Sequence, residues 1–283
     1  MSVRVVPAGG WPDDDPPPVP PGGLPDRIIS DRQSTPVIEL RGVRLPVGPG
    51  RPRPDQEPRT SLDLKVGRGE LVTLTGQPRS GRSALLNVLG LLDRPAAGTY
   101  LLNGVDTTRL GDRDRSALRG RQIGFVFQRK MLLPTRSVLD NVMLPLRYTG
   151  LRRRQRAVVA RSSLDRVGLA ASAALLTWQL SADELALCAI ARALVTQPSL
   201  LLCDEPTAGT GQATAAMIIG VLAGLHREGR TILIATADQL AAAYSSRTIE
   251  LGQPETSLPA RPPGLTSATR DTAAITDAQA GPP

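Results

Sequence analysis

Apolar side chains recur along this chain with two periods, and the points where one gives way to the other mark its elements. VIELRGVRL, from Val37 to Leu45, alternates apolar and polar residues like a strand with one covered face, and LDLKV at Leu62 to Val66 does the same. They predict an edge strand and its antiparallel mate, joined by the proline-rich GPGRPRPDQEPR. GTYLLNGVDTTRL predicts a further strand with a turn at Asn103–Gly104. Glu70 to Thr75, RQIGFVFQ ending at Gln128, SLLLCDEP and TILIATAD are apolar runs of the kind found in buried strands, and RTIEL adds a last short one. Ser83 to Leu92, LSADELALCAIARALV and GQATAAMIIGVLAGLHREGR read as helices, the second opening on the capping-box pair Ser181 and Glu184. Strand and helix in alternation predict an α/β fold, a mostly parallel sheet wrapped by helices with antiparallel strands at its edge.

The middle of the chain breaks this alternation. SVLDNVMLPLRY and AVVARSSLDRVGLA both carry helical spacing, with an arginine-rich turn, LRRRQR, between them that reads as a solvated helix face rather than a binding patch. A helical subdomain inserted at about residues 129–180 is expected. The apolar face of Ser137 to Leu146 has no obvious core to cover, so Val142 and Leu144 are expected to meet another subunit. Residues 1–35 and 253–283 are rich in Pro, Gly, Ser, Thr or Asp and poor in apolar side chains, which predicts a disordered arm and tail around one folded domain at 36–252.

Composition narrows the chemistry. A chain of 283 residues that is 41% hydrophobic can bury one sizeable α/β core or two small domains. Its net charge of +8 is almost all arginine, since Lys65 and Lys130 are the only lysines, and with abundant Ala, Pro and Gly this bias points to G+C-rich coding. With only 2% aromatic residues to stack on bases, no nucleic-acid partner is expected. Cys188 and Cys203 lie within apolar runs without metal-ligand spacing and read as buried, reduced thiols. His226 is the sole histidine, in an exposed-looking helix end, which argues against Ser-His-Asp catalysis and multi-histidine metal sites. No apolar run approaches the ~20 residues of a membrane span, and the N-terminus lacks a signal peptide's apolar stretch. A cytoplasmic location is expected, with membrane contact only through a partner.

The chemistry-bearing stretch is VTLTGQPRSGRSALLNVLGLL, which runs from a strand through two glycines into a helix. GQPRSGRS has the length and glycine spacing of a phosphate-binding loop, in which backbone N–H groups and a helix N-terminus cradle phosphates. Gly76, Gly81 and Ser83 fit the template. Arg82 does not: the template wants the compact charge of lysine, and arginine offers a broad planar fork. Taken alone, the octapeptide is equally compatible with an ordinary strand–turn–helix.

Four segments in one order settle more: GQPRSGRS, FVFQ, LSADELALCAIARAL and LLLCDEPTAG. With them the chain resembles the ATP-binding subunit of an ABC transporter, most like the branch serving macrolide exporters and lipoprotein-release systems, over roughly Val37 to Leu251. The resemblance implies a P-loop fold that binds ATP and Mg²⁺. Gly76, Gln77, Pro78, Arg79, Ser80, Gly81, Arg82, Ser83 and Ala84 would cradle the nucleotide. Ser83, Gln128 and Asp204 would serve the magnesium, Asp204 through water, with Gln128 also sensing the γ-phosphate and Glu205 acting as general base. It also implies head-to-tail pairing with a copy of itself or a related ATP-binding subunit, and docking on a membrane permease at the inner face of the cell membrane.

The departures from the family pattern are specific. Ala237 stands where a γ-phosphate-contacting histidine is expected, LSADE stands for the signature LSGGQ, and Gly211 replaces an aspartate that crosses the dimer interface. No aromatic residue lies between Val43 and Leu64 to stack on adenine. The expectation is therefore a transporter subunit with weak or lost hydrolysis. The alternatives are a non-hydrolysing scaffold or regulatory subunit and, less supported, a P-loop enzyme outside transport.

Overall fold

The computed structural model describes residues 35–46, 61–76 and 80–251. Nearly all of the expected N-terminal arm, the proline-rich connection, Gln77, Pro78 and Arg79 of the loop, and the expected tail lie outside the described residues.

Two sheets carry the structure. β1 (Ile38–Arg44), β2 (Leu62–Val66), β4 (Ala97–Leu102) and β5 (Val105–Asp106) form an antiparallel sheet in the order β2-β1-β4-β5. β3 (Leu71–Gly76), β6 (Ile123–Val126), β7 (Leu200–Asp204), β8 (Thr231–Ala235) and β9 (Arg247–Leu251) form a parallel sheet in the order β6-β7-β8-β3-β9. The antiparallel strands thus make a separate layer, and β1 lies inside it rather than at an edge, because β4 takes its second flank.

Period-two alternation divides the parallel sheet's side chains between two apolar layers. Val72, Leu74, Leu200, Leu202 and Leu233 point into a layer shared with the antiparallel sheet and α1 (Arg82–Leu89). Leu71, Leu201, Cys203, Ile232 and Ile234 point into the other, under α5 (Ala182–Leu194) and α6 (Gln212–Arg227). Burial on both faces is why these strands read as continuous apolar runs. Cys188 and Cys203 are free, buried thiols.

Two helices were not read from the sequence. α2 (Asp112–Gln122) buries only Arg115 and Leu118, but Asp112 and Asp114 in its first turn and Arg119 and Arg121 in its last oppose the helix dipole. The short α7 (Gln239–Tyr244) is capped by Asp238, whose side chain accepts from the Leu240 amide.

The helical subdomain contains α3 (Val138–Met143) and α4 (Arg153–Arg166), both packed against α5. LRRRQR is the exposed start of a helix rather than a turn: α4 begins at Arg153, and the Gln155 side chain accepts from the Arg152 amide at 2.9 Å. The apolar face of Ser137 to Leu146 is not free either. Val138 and Val142 have no exposed surface and Leu146 is buried, so the core this face lacked in the linear sequence is supplied by α4 and α5. A charge at Val142 is expected to break the subdomain before it tests any docking.

Candidate nucleotide site

The site is assembled at the carboxyl ends of the parallel strands, where β3, β6, β7 and β8 release their chains side by side. Gly76 ends β3 at φ +146°, and a Cβ there would lie 2.4 Å from the Leu251 carbonyl oxygen, so the turn admits only glycine. Gly81 caps α1 in the left-handed region at φ 91° and leads directly into Arg82, Ser83 and Ala84 of its first turn. Ser80 Oγ in this turn is buried without a hydrogen-bond partner among the described residues. A bound anion would satisfy it.

The arginine at the lysine position is turned to a carboxylate. Arg82 Nη2 lies 3.1 Å from Glu205 Oε1, with both side chains largely buried, and Nη1 is buried with no hydrogen-bond partner among the described residues. Glu205 follows β7 in the left-handed region at φ 44°, its amide donating to the Ala235 carbonyl at 2.8 Å. Its second oxygen, Oε2, accepts from Thr236 Oγ1 at 2.9 Å and, more distantly, from the Ala237 amide at 3.4 Å. Both carboxylate oxygens of the expected base are therefore engaged within the chain.

Asp204 is half-buried beside this pair. Its Oδ1 accepts from Ser83 Oγ at 3.4 Å, which brings two of the three expected magnesium-serving residues together. Burial raises its carboxyl above the ordinary carboxylate range, and the neighbouring Glu205 adds to the shift against the opposing Ser83 hydrogen bond and Arg82 charge. A desolvated carboxyl of this kind next to a hydroxyl fits a cation. Gln128 lies two residues past Val126, whose partner in the ladder is Cys203, so it shares the strand end with Glu205. It is exposed and makes no hydrogen bond to another described residue.

The signature segment is closed on itself. Ser181 Oγ accepts from the Glu184 amide at 3.2 Å, while Glu184 Oε2 accepts from the Ser181 amide at 3.0 Å and hydroxyl at 3.1 Å. Ser172 donates to Glu184 Oε1 at 3.1 Å, and Thr214 to Asp183 Oδ2 at 2.6 Å. The Ser181 amide first, then these hydroxyls, hold the Glu184 carboxyl below its ordinary range. Gly211 caps α6 and offers no side chain.

Three residues at the site escaped the sequence reading. Thr236 orients Glu205, Lys130 donates to the Pro206 carbonyl at 3.0 Å, and Arg192 donates to the carbonyls of Lys130 and Met131, both at 2.7 Å. Thr236 directly follows the buried strand β8 and precedes the substituted position 237, a signal that was available. The other two make contacts that no local pattern announces.

A phosphate loop, an adjacent Asp–Glu strand end and an inserted helical subdomain define a P-loop nucleotide-binding cassette. Comparison with known proteins agrees: residues 60–208 match the ABC transporter family, and the chain belongs to it. It is 39% identical over 216 residues to the lipoprotein-releasing system ATP-binding protein LolD of Geobacter metallireducens, covering 76% of this chain and 95% of that one. It is 40% identical over 218 residues to the macrolide export ATP-binding/permease protein MacB 1/2 of Paracoccus denitrificans, covering 76% of this chain. The chain spans about a third of that relative's length, 32%. Among solved structures, the dimeric bacterial ABC transporter cassette MJ0796 matches with a TM-score of 0.69 and 31% identity, over 76% of this chain and 94% of that one. The same cassette in a post-hydrolysis state bound to ADP and Pi matches with a TM-score of 0.69 and 30% identity. Among the described residues no helix is long and apolar enough to cross a membrane.

Proposed function

We propose that this chain is the nucleotide-binding subunit of an ABC transporter, coupled to a separate membrane permease at the inner face of the cell membrane and working with weak or lost ATP hydrolysis. One observation carries the second half: the Arg82 guanidinium is paired with Glu205, the residue that should accept a proton from water. Arg82 is thereby drawn from the phosphates it should neutralise, and the Glu205 carboxylate is held by Arg82 on one oxygen and Thr236 on the other, which stabilises its charged form and weakens it as a base. Losing one well-placed transition-state donor costs about 10²–10³ in rate, and this site lacks both the loop lysine and the switch histidine.

Nucleotide binding keeps more of its support. Gly76 and Gly81 shape the turn, the α1 N-terminus faces it, and Ser80 Oγ awaits an acceptor or donor. Ser83 and Gln128, with Asp204 through water, would hold Mg²⁺, which when bound neutralises the phosphate oxygens. Pairing with a second ATP-binding subunit follows the dimeric relative. A different subunit suits the closed signature better than a copy, because a homodimer would place two defects in each site. For the permease, a groove lined by Leu92, Phe125, Phe127, Met131 and Pro145 offers an apolar seat beside the loop of Gln128, with Met131 64% exposed.

Isothermal titration of ATP with Mg²⁺ into the full chain tests the reading. Saturable binding that Gly81→Asp abolishes is the expected result. No binding by the parent would replace the nucleotide-binding reading with that of a scaffold.

A further inference from the structure

Of the chain's two lysines, Lys65 sits at the surface beside Glu39, whereas Lys130 points inward. It follows Gln128 by two residues in the segment that leads from β6 to the helical subdomain. Its ammonium donates to the carbonyl of Pro206, the residue directly after Glu205. Its own carbonyl, with that of Met131, is held by the Arg192 guanidinium from α5. Further along the same segment the bonds run to the subdomain: Thr177 donates its hydroxyl to the Leu133 carbonyl at 2.7 Å and its amide to that of Arg136 at 3.1 Å, while the Asn141 side chain brackets Leu133 from both sides. The segment is thus anchored to the carboxylate end of β7 at one end and to the subdomain at the other.

Neither Lys130 nor Arg192 forms a salt bridge with a described carboxylate. Burial lowers the pKa of both. A cation taken out of water to bond a carbonyl is a costly arrangement, and these two are linked through Lys130, whose own carbonyl Arg192 holds.

We propose that Lys130 is a positioning residue that fastens the loop of Gln128 to the Glu205–Pro206 turn, so that a change at the carboxylates is passed to the helical subdomain. The passing of a nucleotide signal rests on the nucleotide-binding reading; the fastening does not. The reporter is Trp178, 66% exposed on the turn that holds Leu133 and Arg136. Trp11→Phe leaves it as the only tryptophan of the two.

In the full chain without nucleotide, Lys130→Met should speed amide exchange across residues 129–137 by about tenfold while β7 is unaffected, since a charged hydrogen bond is worth at least that in a local opening equilibrium. Lys130→Arg should restore most of the protection. Unchanged exchange in Lys130→Met would overturn the fastening, and if that variant fails to fold, Lys130→Gln carries the same comparison. With ATP and Mg²⁺, Lys130→Met should bind within about threefold of the parent yet lose most of the Trp178 emission change, because coupling and affinity are separate free energies. An undiminished emission change would overturn the coupling. A loss of affinity of about tenfold or more would make Lys130 a phosphate contact instead. If the parent binds no nucleotide, the nucleotide-binding reading and the signal both fall, and the exchange experiment still decides the fastening.

Discussion

The two ends of the site have lost family residues in different ways. At the carboxylate end, Arg82 forms an ion pair with Glu205, so under the proposed function one substitution would affect two groups. At the signature end, Glu184 is held by Ser181 of its own helix start and by Ser172, and Asp183 by Thr214 of α6. The first is one ion pair between a loop and a strand end, and the second is a helix cap joined by a hydrogen bond to α6. The difference teaches where repair is cheap. A side chain can be redirected by shortening it, whereas restoring glycines at 182 and 183 puts two poor helix formers in the first turn of α5 and removes the Asp183–Thr214 contact to α6.

The largest effect should come from the carboxylate end. Arg82→Lys with Ala237→His is expected to raise ATP turnover by about 10²–10³ over the parent, and above either single change, because both groups act on the same developing charge. The signature substitutions Ala182→Gly, Asp183→Gly and Glu184→Gln belong in the same assay. Equal rates in the parent and the fully restored chain, with folding confirmed by circular dichroism, would show that the contrast between the two ends is not what limits turnover.

Stability should follow in descending order. Arg82→Ala leaves Glu205 without its cation in a partly buried turn and should cost about 1–2 kcal/mol in urea unfolding. Glu184→Ala removes half of a capping box and should cost about 1 kcal/mol, with no dependence on nucleotide. A larger loss at Glu184 than at Arg82 would reverse the ranking.

The smallest effect concerns Asp204. Its folded-state pKa is raised above the ordinary 3.8, so the folded chain binds the proton more tightly than the unfolded one. Stability at this group therefore falls as pH rises from 3.8 through the folded value, and the cost is complete above it. Asp204→Asn should accordingly raise the melting temperature at pH 7, with the gain shrinking as pH approaches 3.8. A gain independent of pH would assign the effect to something other than ionisation.

How far these contrasts were legible in the sequence depended on distance along the chain. The buried strands, the capping box and the glycines of the loop are local patterns, and each lies where the pattern put it. Arg82 was visible as a misfit, but its partner was not, because Glu205 reaches it only after β3 and β7 are brought into one sheet. The apolar face at Val138 and Val142 looked unpartnered for the same reason: its cover, α4 and α5, comes later in the chain. α2 was missed because its helical signal is charge at the two ends rather than an apolar stripe. LRRRQR was legible as a solvated helix face but not as a helix start, because consecutive arginines suit a first helical turn as well as a loop.

The central claim is that Glu205 does not act as a base in this chain because Arg82 holds it. Steady-state phosphate release by the full chain at saturating ATP and Mg²⁺, measured beside Glu205→Gln, tests it most directly. The account predicts rates that agree within about twofold, since removing a base that is not working removes nothing. A parent that turns over ATP tenfold or more faster than Glu205→Gln, a difference of about 1.4 kcal/mol in barrier, would show that the ion pair opens and the base works.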